Sequence, residues 1–241
     1  MARNDGRAFD GLRPIRILRK YTSNAPGSVL IEFGKTRVLC TATIRHDVPP
    51  WMAGKGSGWV TAEYGMLPGS TGDRKNRERA GKVDGRTQEI QRLIGRSMRA
   101  VVDRELMGER TIWLDCDVIE ADGGTRTASI TGAYVALMDA FRSLEKDGIR
   151  FPVFPVVDSI SAVSVGIVRG ELLLDLCYIE DSRADVDLNV VMTGKGQIVE
   201  VQGTAEKTAF SRKQLNDMID LAEDGMTRLR GFQEEALKVE G

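Results

Sequence analysis

Apolar and polar positions alternate near the start of the chain in the way that is typical of half-buried β-strands. Two such segments, 28–33 and 36–44, flank Gly34-Lys35, and this spacing predicts a hairpin with a two-residue turn. Residues 50–82 are rich in glycine and charge, which predicts long loops around one short strand at 58–64. The chain is therefore expected to begin with a β-rich region.

The pattern changes to helical spacing over 86–106, where apolar residues recur on one face. A strand is predicted at 111–119 and a second helix at 126–145, followed by a turn at Asp147-Gly148. The proline-containing segment 151–155 then predicts a joint between two halves of the chain.

The second half also begins with alternating segments. One hairpin is predicted at 161–168 and 171–178, and another over 187–202 with its turn at 194–196. Ser211 with Gln214 forms a capping-box pattern that predicts a final helix to about residue 230.

Each half thus proceeds from hairpins to a helix. This order predicts an α+β fold in one domain, residues 1–241, built from two similar β-hairpin/βα units with mixed sheets and packed helices. The N-terminal unit is expected at about 10–147 and the C-terminal unit at about 156–235.

Charge is balanced over the chain but not along it. The 241 residues contain 34 Lys+Arg and 35 Asp+Glu, a net charge of −1, which excludes a globally basic nucleic-acid binder. Residues 74–104 carry ten basic and four acidic side chains, whereas 171–200 carry two basic and seven acidic ones. These regions are either two solvated surfaces or a track for a polyanion that leads to a metal-binding carboxylate site.

The composition also excludes several kinds of chemistry. His46 is the only histidine, so a mechanism with two imidazoles is unavailable within one chain, and a surface position is expected for it. No serine elbow, phosphate-binding P-loop or usable dinucleotide fingerprint occurs. Cys40, Cys116 and Cys177 lie among apolar neighbours and predict reduced core thiols. The apolar runs predict neither a membrane span nor a signal peptide, so we expect a cytoplasmic protein.

An anion site is predicted where a strand gives way to a helix at Gly123-Gly124-Thr125-Arg126. Glycines allow close approach of the backbone, and the first N–H groups of a helix lack intrahelical partners. The alternative is a simple glycine turn with a threonine cap. Arg86 lies on the apolar stripe of the first helix, so it is expected to be buried and to need an anion. It would pair with a buried carboxylate or share a bound phosphate with Arg126, and we favour the shared phosphate.

A carboxylate cluster follows in the second half, at Asp181, Asp185 and Asp187. Divalent magnesium binds oxygen ligands, commonly one or two carboxylates together with substrate phosphate. Asp185 and Asp187 would point to one side of a strand, whereas Asp181 and Asp187 could meet only if residues 182–184 bend. Spacing does not choose between these pairs, and an acidic turn without metal is the alternative.

Several long segments together resemble the ribonuclease PH family, phosphate-dependent exoribonucleases that trim tRNA 3′ ends. The resemblance runs through nearly the whole chain and includes segments 3–7, 12–14, 58–64, 85–95, 115–119, 122–132, 178–191 and 199–206. It implies the ribonuclease PH fold and a homohexamer arranged as a trimer of dimers.

The resemblance also implies roles for particular residues. Arg86, Gly124, Thr125 and Arg126 correspond to the phosphate site, and Asp181 with Asp187 to the catalytic, metal-binding aspartates. Arginines that guide RNA are expected among Arg74, Arg77, Arg79 and Arg92. Gly69 stands where many relatives have a basic residue, which bears on the grip on RNA and not on the chemistry.

The implied reaction is attack by inorganic phosphate on the last phosphodiester of a tRNA precursor, with release of a nucleoside 5′-diphosphate and Mg²⁺ as cofactor. It is reversible, and rRNA processing or turnover of structured RNA is a further expectation. Two alternatives remain: a two-metal hydrolytic nuclease, which would not need phosphate, and a silent RNA-binding ring subunit, which would bind RNA without forming product.

Overall fold

The computed structural model describes residues 3–77 and 83–239, and in that part of the chain two sheets pack with four helices. The strands are β1 (Ile15–Arg19), β2 (Gly27–Phe33), β3 (Thr36–Arg45), β4 (Trp59–Met66), β5 (Thr111–Glu120), β6 (Ile160–Val168), β7 (Glu171–Leu174), β8 (Val186–Thr193) and β9 (Ile198–Ala205). The helices are α1 (Gly85–Arg99), α2 (Thr125–Lys146), α3 (Tyr178–Asp181) and α4 (Arg212–Lys238).

The first sheet has the order β1-β2-β3-β5-β4, and β4 lies parallel to β5 while the other pairs are antiparallel. The second sheet has the order β7-β6-β8-β9 and is antiparallel throughout. Each sheet contains a predicted hairpin, β2–β3 in the first and β6–β7 in the second. The α+β fold class is therefore confirmed, whereas the division into units at about 10–147 and 156–235 stays a prediction.

Helix α2 lies between the two sheets and packs against β2 and β3 on one side and β6 on the other. Most of its side chains are buried, which explains why its sequence is apolar on nearly every face. The backbones come close because Gly27 faces the helix: a Cβ at Gly27 would lie 1.9 Å from the carbonyl oxygen of Ala136. The core is thus built around this one helix.

The predicted ends of α1 and β7 are wrong. Helix α1 ends at Arg99 and not at residue 106, because Val102 forms a β-bridge with Val156 and the Asp103 N–H donates to the Pro155 carbonyl. Strand β7 ends at Leu174 and not at residue 178, because the chain turns at Asp175, whose φ is +54°. Both changes come from contacts distant in sequence, which local periodicity does not contain.

Two further features differ from the sequence prediction. Strand β1 was not predicted, and α4 continues to Lys238, beyond the expected end near residue 230, although its Ser211–Gln214 capping box is present. The three cysteines are free and buried, as expected. Within the described part of the chain, no helix has the length and apolar character to cross a bilayer. The cytoplasmic location stays a prediction.

Candidate active site

The start of α2 leaves its first backbone N–H groups open toward a cleft. The chain leaves β5 at Glu120 and turns through Gly123 and Gly124, whose φ angles are +79° and +65°. Gly124 is the N-cap residue, and no side chain caps this end of the helix. Because uncapped N–H groups at the positive end of a helix dipole bind anions, this end is suited to phosphate.

Thr125 is fixed at the first position of α2. Its hydroxyl lies 2.9 Å from the hydroxyl of Tyr64 on β4, and both side chains are buried. Burial raises the pKa of Tyr64, so this phenol keeps its proton and the contact between the two hydroxyls at neutral pH. Strand β4 thereby fixes the side chain that stands beside the open N–H groups.

Arg86 lies in the first turn of α1 and is exposed, so the expectation that it is buried is wrong. Thr87 and Ile90 occupy the buried face of that turn, and the Arg86 guanidinium lines the cleft beside Gly124 and Thr125. Arg86 makes no hydrogen bond or ion pair with any residue in the described ranges 3–77 and 83–239. An anion in the cleft would therefore meet a guanidinium that is hydrogen-bonded to none of the described residues.

Arg126 is held by two residues that sequence reasoning missed. Its guanidinium lies 3.3 Å from a carboxylate oxygen of Glu89 on α1 and donates to the side-chain oxygen of Gln202 on β9. Only 16% of the Arg126 side chain is exposed. These contacts join α1, α2 and the second sheet. Glu89 could have been proposed from sequence, because it lies one helical turn after Arg86. The local sequence around Gln202 does not indicate its contact with Arg126.

Asp181 and Asp187 lie close enough to interact electrostatically, because residues 178–184 form the short helix α3 and a turn. The bend that the sequence analysis required is therefore present. Asp185 is directed elsewhere: its carboxylate accepts from the Lys207 ammonium at 3.1 Å and from the Arg169 N–H at 3.2 Å. Of the two candidate pairs, the structure brings Asp181 together with Asp187.

The Asp187 carboxyl is in an unfavourable position for a lone charge. Burial, with a smaller effect of neighbouring Asp181, raises its pKa to about 6. Burial also raises the pKa of Asp181, opposed by Arg86 and Arg126. The Oδ1 atom of Asp187 is buried and has no hydrogen-bond partner among the described residues. A cation between the two carboxylates would remove both the repulsion and the unpaired oxygen.

A buried arginine network fixes the segment that carries Asp181. Arg13 binds both carboxylate oxygens of Asp175, at 2.7 and 3.0 Å, and also donates to the Asp122 carbonyl. Arg3 binds both carboxylate oxygens of Glu180, at 2.8 and 2.6 Å. These pairs tie the N-terminal segment and the loop before α2 to α3. Their partners lie more than 160 residues apart in sequence, so spacing could not pair them.

Most of the predicted site lies at one cleft of about 750 Å³. Its lining includes Arg74, Arg86, Gly124, Thr125 and Asp181, and Arg126 and Asp187 lie beside it.

Other predicted residues lie apart from this cleft. Arg77 and Arg92 are exposed and do not line it, and Arg79 lies outside the described residues. His46 is exposed just after β3, as expected.

Comparison with known proteins gives this arrangement a class. A family model described as the 3′ exoribonuclease family, domain 1, matches residues 11–143, and the model of domain 2 of the same family matches residues 158–225. The fold and the two matched regions therefore define a protein of the 3′ exoribonuclease class.

Ribonuclease PH of Corynebacterium glutamicum (strain R) is 58% identical over 239 residues, which covers 99% of this chain and 97% of that protein. The chain belongs to the ribonuclease PH family. This confirms the resemblance that the sequence motifs indicated.

Solved structures show the same fold at low identity. Rice (Oryza sativa) Rrp46 has a TM-score of 0.79 at 18% identity, covering 98% of this chain and 100% of that one. The Archaeoglobus fulgidus exosome with RNA bound to the active site has a TM-score of 0.80 at 22% identity, covering 95% and 92%. At these identities the likeness establishes the fold alone.

Proposed function

We propose that this chain is a phosphorolytic 3′–5′ exoribonuclease that trims the 3′ ends of tRNA precursors and releases nucleoside 5′-diphosphates. One observation carries the proposal: a single cleft is lined by Arg86, by the open start of α2 and by Asp181, and Asp187 lies near Asp181. Arg86 and the start of α2 would bind an anionic nucleophile. Asp181 and Asp187 would act on the phosphodiester that the nucleophile attacks.

Inorganic phosphate is the co-substrate, and this chain's own groups bind it. Arg86 and Arg126 would donate charged hydrogen bonds, while the N–H groups of α2 and the Thr125 hydroxyl would orient its oxygens. A phosphate oxygen attacks the terminal phosphodiester, the bond to the 3′ oxygen of the preceding nucleotide breaks, and that oxygen takes a proton. Because phosphate is already an anion, the reaction needs no histidine to activate water. The products can react in reverse and extend the RNA.

Asp181 and Asp187 fit a magnesium ion, since the Oδ1 atom of Asp187 is buried without a hydrogen-bond partner among the described residues and burial raises the pKa of both carboxyls. Magnesium bound there would supply neutralisation of charge on the scissile phosphoryl group and the departing oxygen. In the described residues no group of three or more metal-ligating side chains occurs, which suits an ion that completes its shell with substrate oxygens and water.

A direct test compares tRNA-precursor shortening with and without phosphate. We expect no shortening without phosphate, and nucleoside diphosphates as products with it. Monophosphate release that is independent of phosphate would identify a hydrolase. RNA binding without any product would identify a silent ring subunit, and Asp187→Asn serves as the inactive control that still binds RNA.

Magnesium binding has a readout apart from activity. Because a ligand stabilises the state that binds it, Mg²⁺ should raise the melting temperature of the wild-type protein. Asp187→Asn should abolish this increase, whereas Asp185→Asn should retain it, since Asp185 is already paired with Lys207. An equal increase in all three proteins would overturn the metal assignment.

RNA would reach the cleft across exposed arginines, and we assign Arg74, Arg77, Arg79 and Arg92 to this contact. Support comes from the position of Arg74 on the cleft wall and from the exposure of Arg77 and Arg92. Replacing each with alanine should raise the KM for RNA and reduce its salt dependence, with no change in the KM for phosphate. Precursors of rRNA and other structured RNAs are further candidate substrates for the same assay.

A further inference from the structure

Tyr178 is an exposed aromatic ring in the wall of the candidate active site. It is 62% exposed and lines the same cleft as Arg86, Thr125 and Asp181. Among the described residues that line this cleft, no other has an aromatic side chain. An exposed aromatic ring in the wall of a polar cleft is available to contact the apolar face of a bound ligand.

The exposure does not come from a loosely held backbone. The Tyr178 N–H donates to the Asp122 carboxylate at 3.2 Å, and Gly123 packs so closely that a Cβ there would lie 2.9 Å from the Tyr178 nitrogen. On the other side, Glu180 accepts from the Cys177 N–H and is bound by Arg3. The ring is therefore presented from a fixed main chain.

The position of the ring relates it to the reacting nucleotide. Tyr178 and Asp181 belong to the same turn of α3, so a base next to the ring has its sugar and phosphate near Asp181 and Arg86. An exonuclease that removes successive nucleotides must accept every base. Stacking meets this need because every base has a π-face, whereas hydrogen bonds to base edges would select one base.

We propose that the Tyr178 ring is the platform on which the 3′-terminal base of the RNA stacks during phosphorolysis. This inference rests on the proposed function and deepens it, because it assigns a base-binding side chain to a site otherwise built from phosphate and metal contacts. The competing explanation is that a second copy of the chain covers the ring in an oligomer.

The experiment compares two RNAs that are identical except that one carries an abasic 3′-terminal nucleotide. With normal RNA, Tyr178→Ala should lower kcat/KM roughly tenfold, within the range seen when a stacking residue is truncated. Tyr178→Phe keeps the ring and should stay within about twofold of wild type. With the abasic RNA, wild type and Tyr178→Ala should be equal, because the ring has no base to contact. The KM for phosphate should not change.

Tyr21 provides the matched control, because it is also an exposed tyrosine, at 51%, and does not line the cleft. Tyr21→Ala should leave kcat/KM unchanged with both the normal and the abasic RNA. An equal loss for Tyr178→Ala on normal and abasic RNA would overturn the stacking proposal, and a change in molecular mass together with that loss would identify an oligomer contact. Phosphate-dependent diphosphate release by the wild-type protein tests the proposed function separately, so the two failures are distinguishable.

Discussion

At the scale of single residues, Asp187 is a proposed catalytic residue whose surroundings disfavour the charged form of its carboxyl. Its carboxyl is largely buried, near Asp181, and has an oxygen without a donor. Its pKa is about 6, above the ordinary value of 3.8. The stability associated with this group is therefore fully present below pH 3.8 and is lost as the pH rises through about 6.

Asp187→Asn should therefore stabilise the metal-free protein at neutral pH. We expect the free energy of unfolding near pH 7.5, in the presence of a chelator, to increase by about 1–3 kcal/mol, since one pKa unit corresponds to about 1.4 kcal/mol. The difference should vanish near pH 4. Denaturant titrations at the two pH values measure it. Asp185→Asn is the control and should give no such gain, and a destabilised Asp187→Asn protein at pH 7.5 would contradict the argument.

Arg86 gives the second prediction at this scale. Because its guanidinium has no partner among the described residues, its alanine variant should fold normally but bind phosphate poorly. The KM for phosphate should rise roughly ten- to a hundredfold, because this is the change in affinity expected when a hydrogen bond to a charged group is lost. Initial rates over a range of phosphate concentrations measure this. Arg92→Ala should instead raise the KM for RNA alone, and an unchanged phosphate KM in Arg86→Ala would remove Arg86 from its role.

Sequence could place these residues near the chemistry but could not give their surroundings. The apolar stripe of α1 correctly identifies Ile90 as buried, yet Arg86, one turn earlier, extends past the core into the cleft. The choice of Asp187 with Asp181 needed the turn after α3, and the pairing of Arg126 with Glu89 and Gln202 needed three elements in place. Their roles stay predictions until variants are measured.

At the scale of elements, the contact between the start of α2 and the start of α3 sets the width of the site. Gly123 makes this contact possible, because a Cβ there would lie 2.6 Å from the Leu176 carbonyl oxygen. Backbone atoms of two elements cannot yield as a flexible side chain can. The spacing between the phosphate-binding end of α2 and Asp181 therefore depends on this residue.

Gly123→Ala should lower both stability and kcat, since it adds a backbone clash to the cost of a positive φ. Gly148→Ala is the matched control: Gly148 has a φ of +91°, but a Cβ there meets nothing within 4 Å. The control should lose about 1 kcal/mol of stability and keep its activity. Thermal unfolding and phosphorolysis rates of both variants decide this, and equal activities would show that the α2–α3 spacing is not critical.

Periodicity predicted the type of every long element but missed β1 and the short helix α3, and it did not predict where several elements end. The hairpins around Gly34-Lys35 and Arg169-Gly170 and the long helix α2 occur where the pattern predicts them. The end of α1 depends on Val102 pairing with Val156, and the end of β7 depends on Arg13 binding Asp175. Such long-range contacts compete successfully with local propensity.

At the scale of the whole molecule, we propose a homohexamer arranged as a trimer of dimers, as the family resemblance implies. Six copies of the 26.5 kDa chain would give about 160 kDa. Sedimentation equilibrium over a range of protein concentrations measures this mass. A concentration-independent mass near 27 kDa, with full activity, would contradict the proposal. Charged substitutions at the exposed Trp51 and Val153 would test whether either surface forms a contact between copies.

The placement of α2 between the two sheets links the loss of activity on heating to the unfolding of the protein. The helix whose first turn would hold phosphate also forms the centre of the core, so its position cannot change without loss of packing on both sides. Loss of the first turn of α2 should therefore accompany unfolding of the core. Catalysis in this chain is therefore tied to the cooperativity of the entire fold, and gradual heating should yield few molecules that are intact but inert.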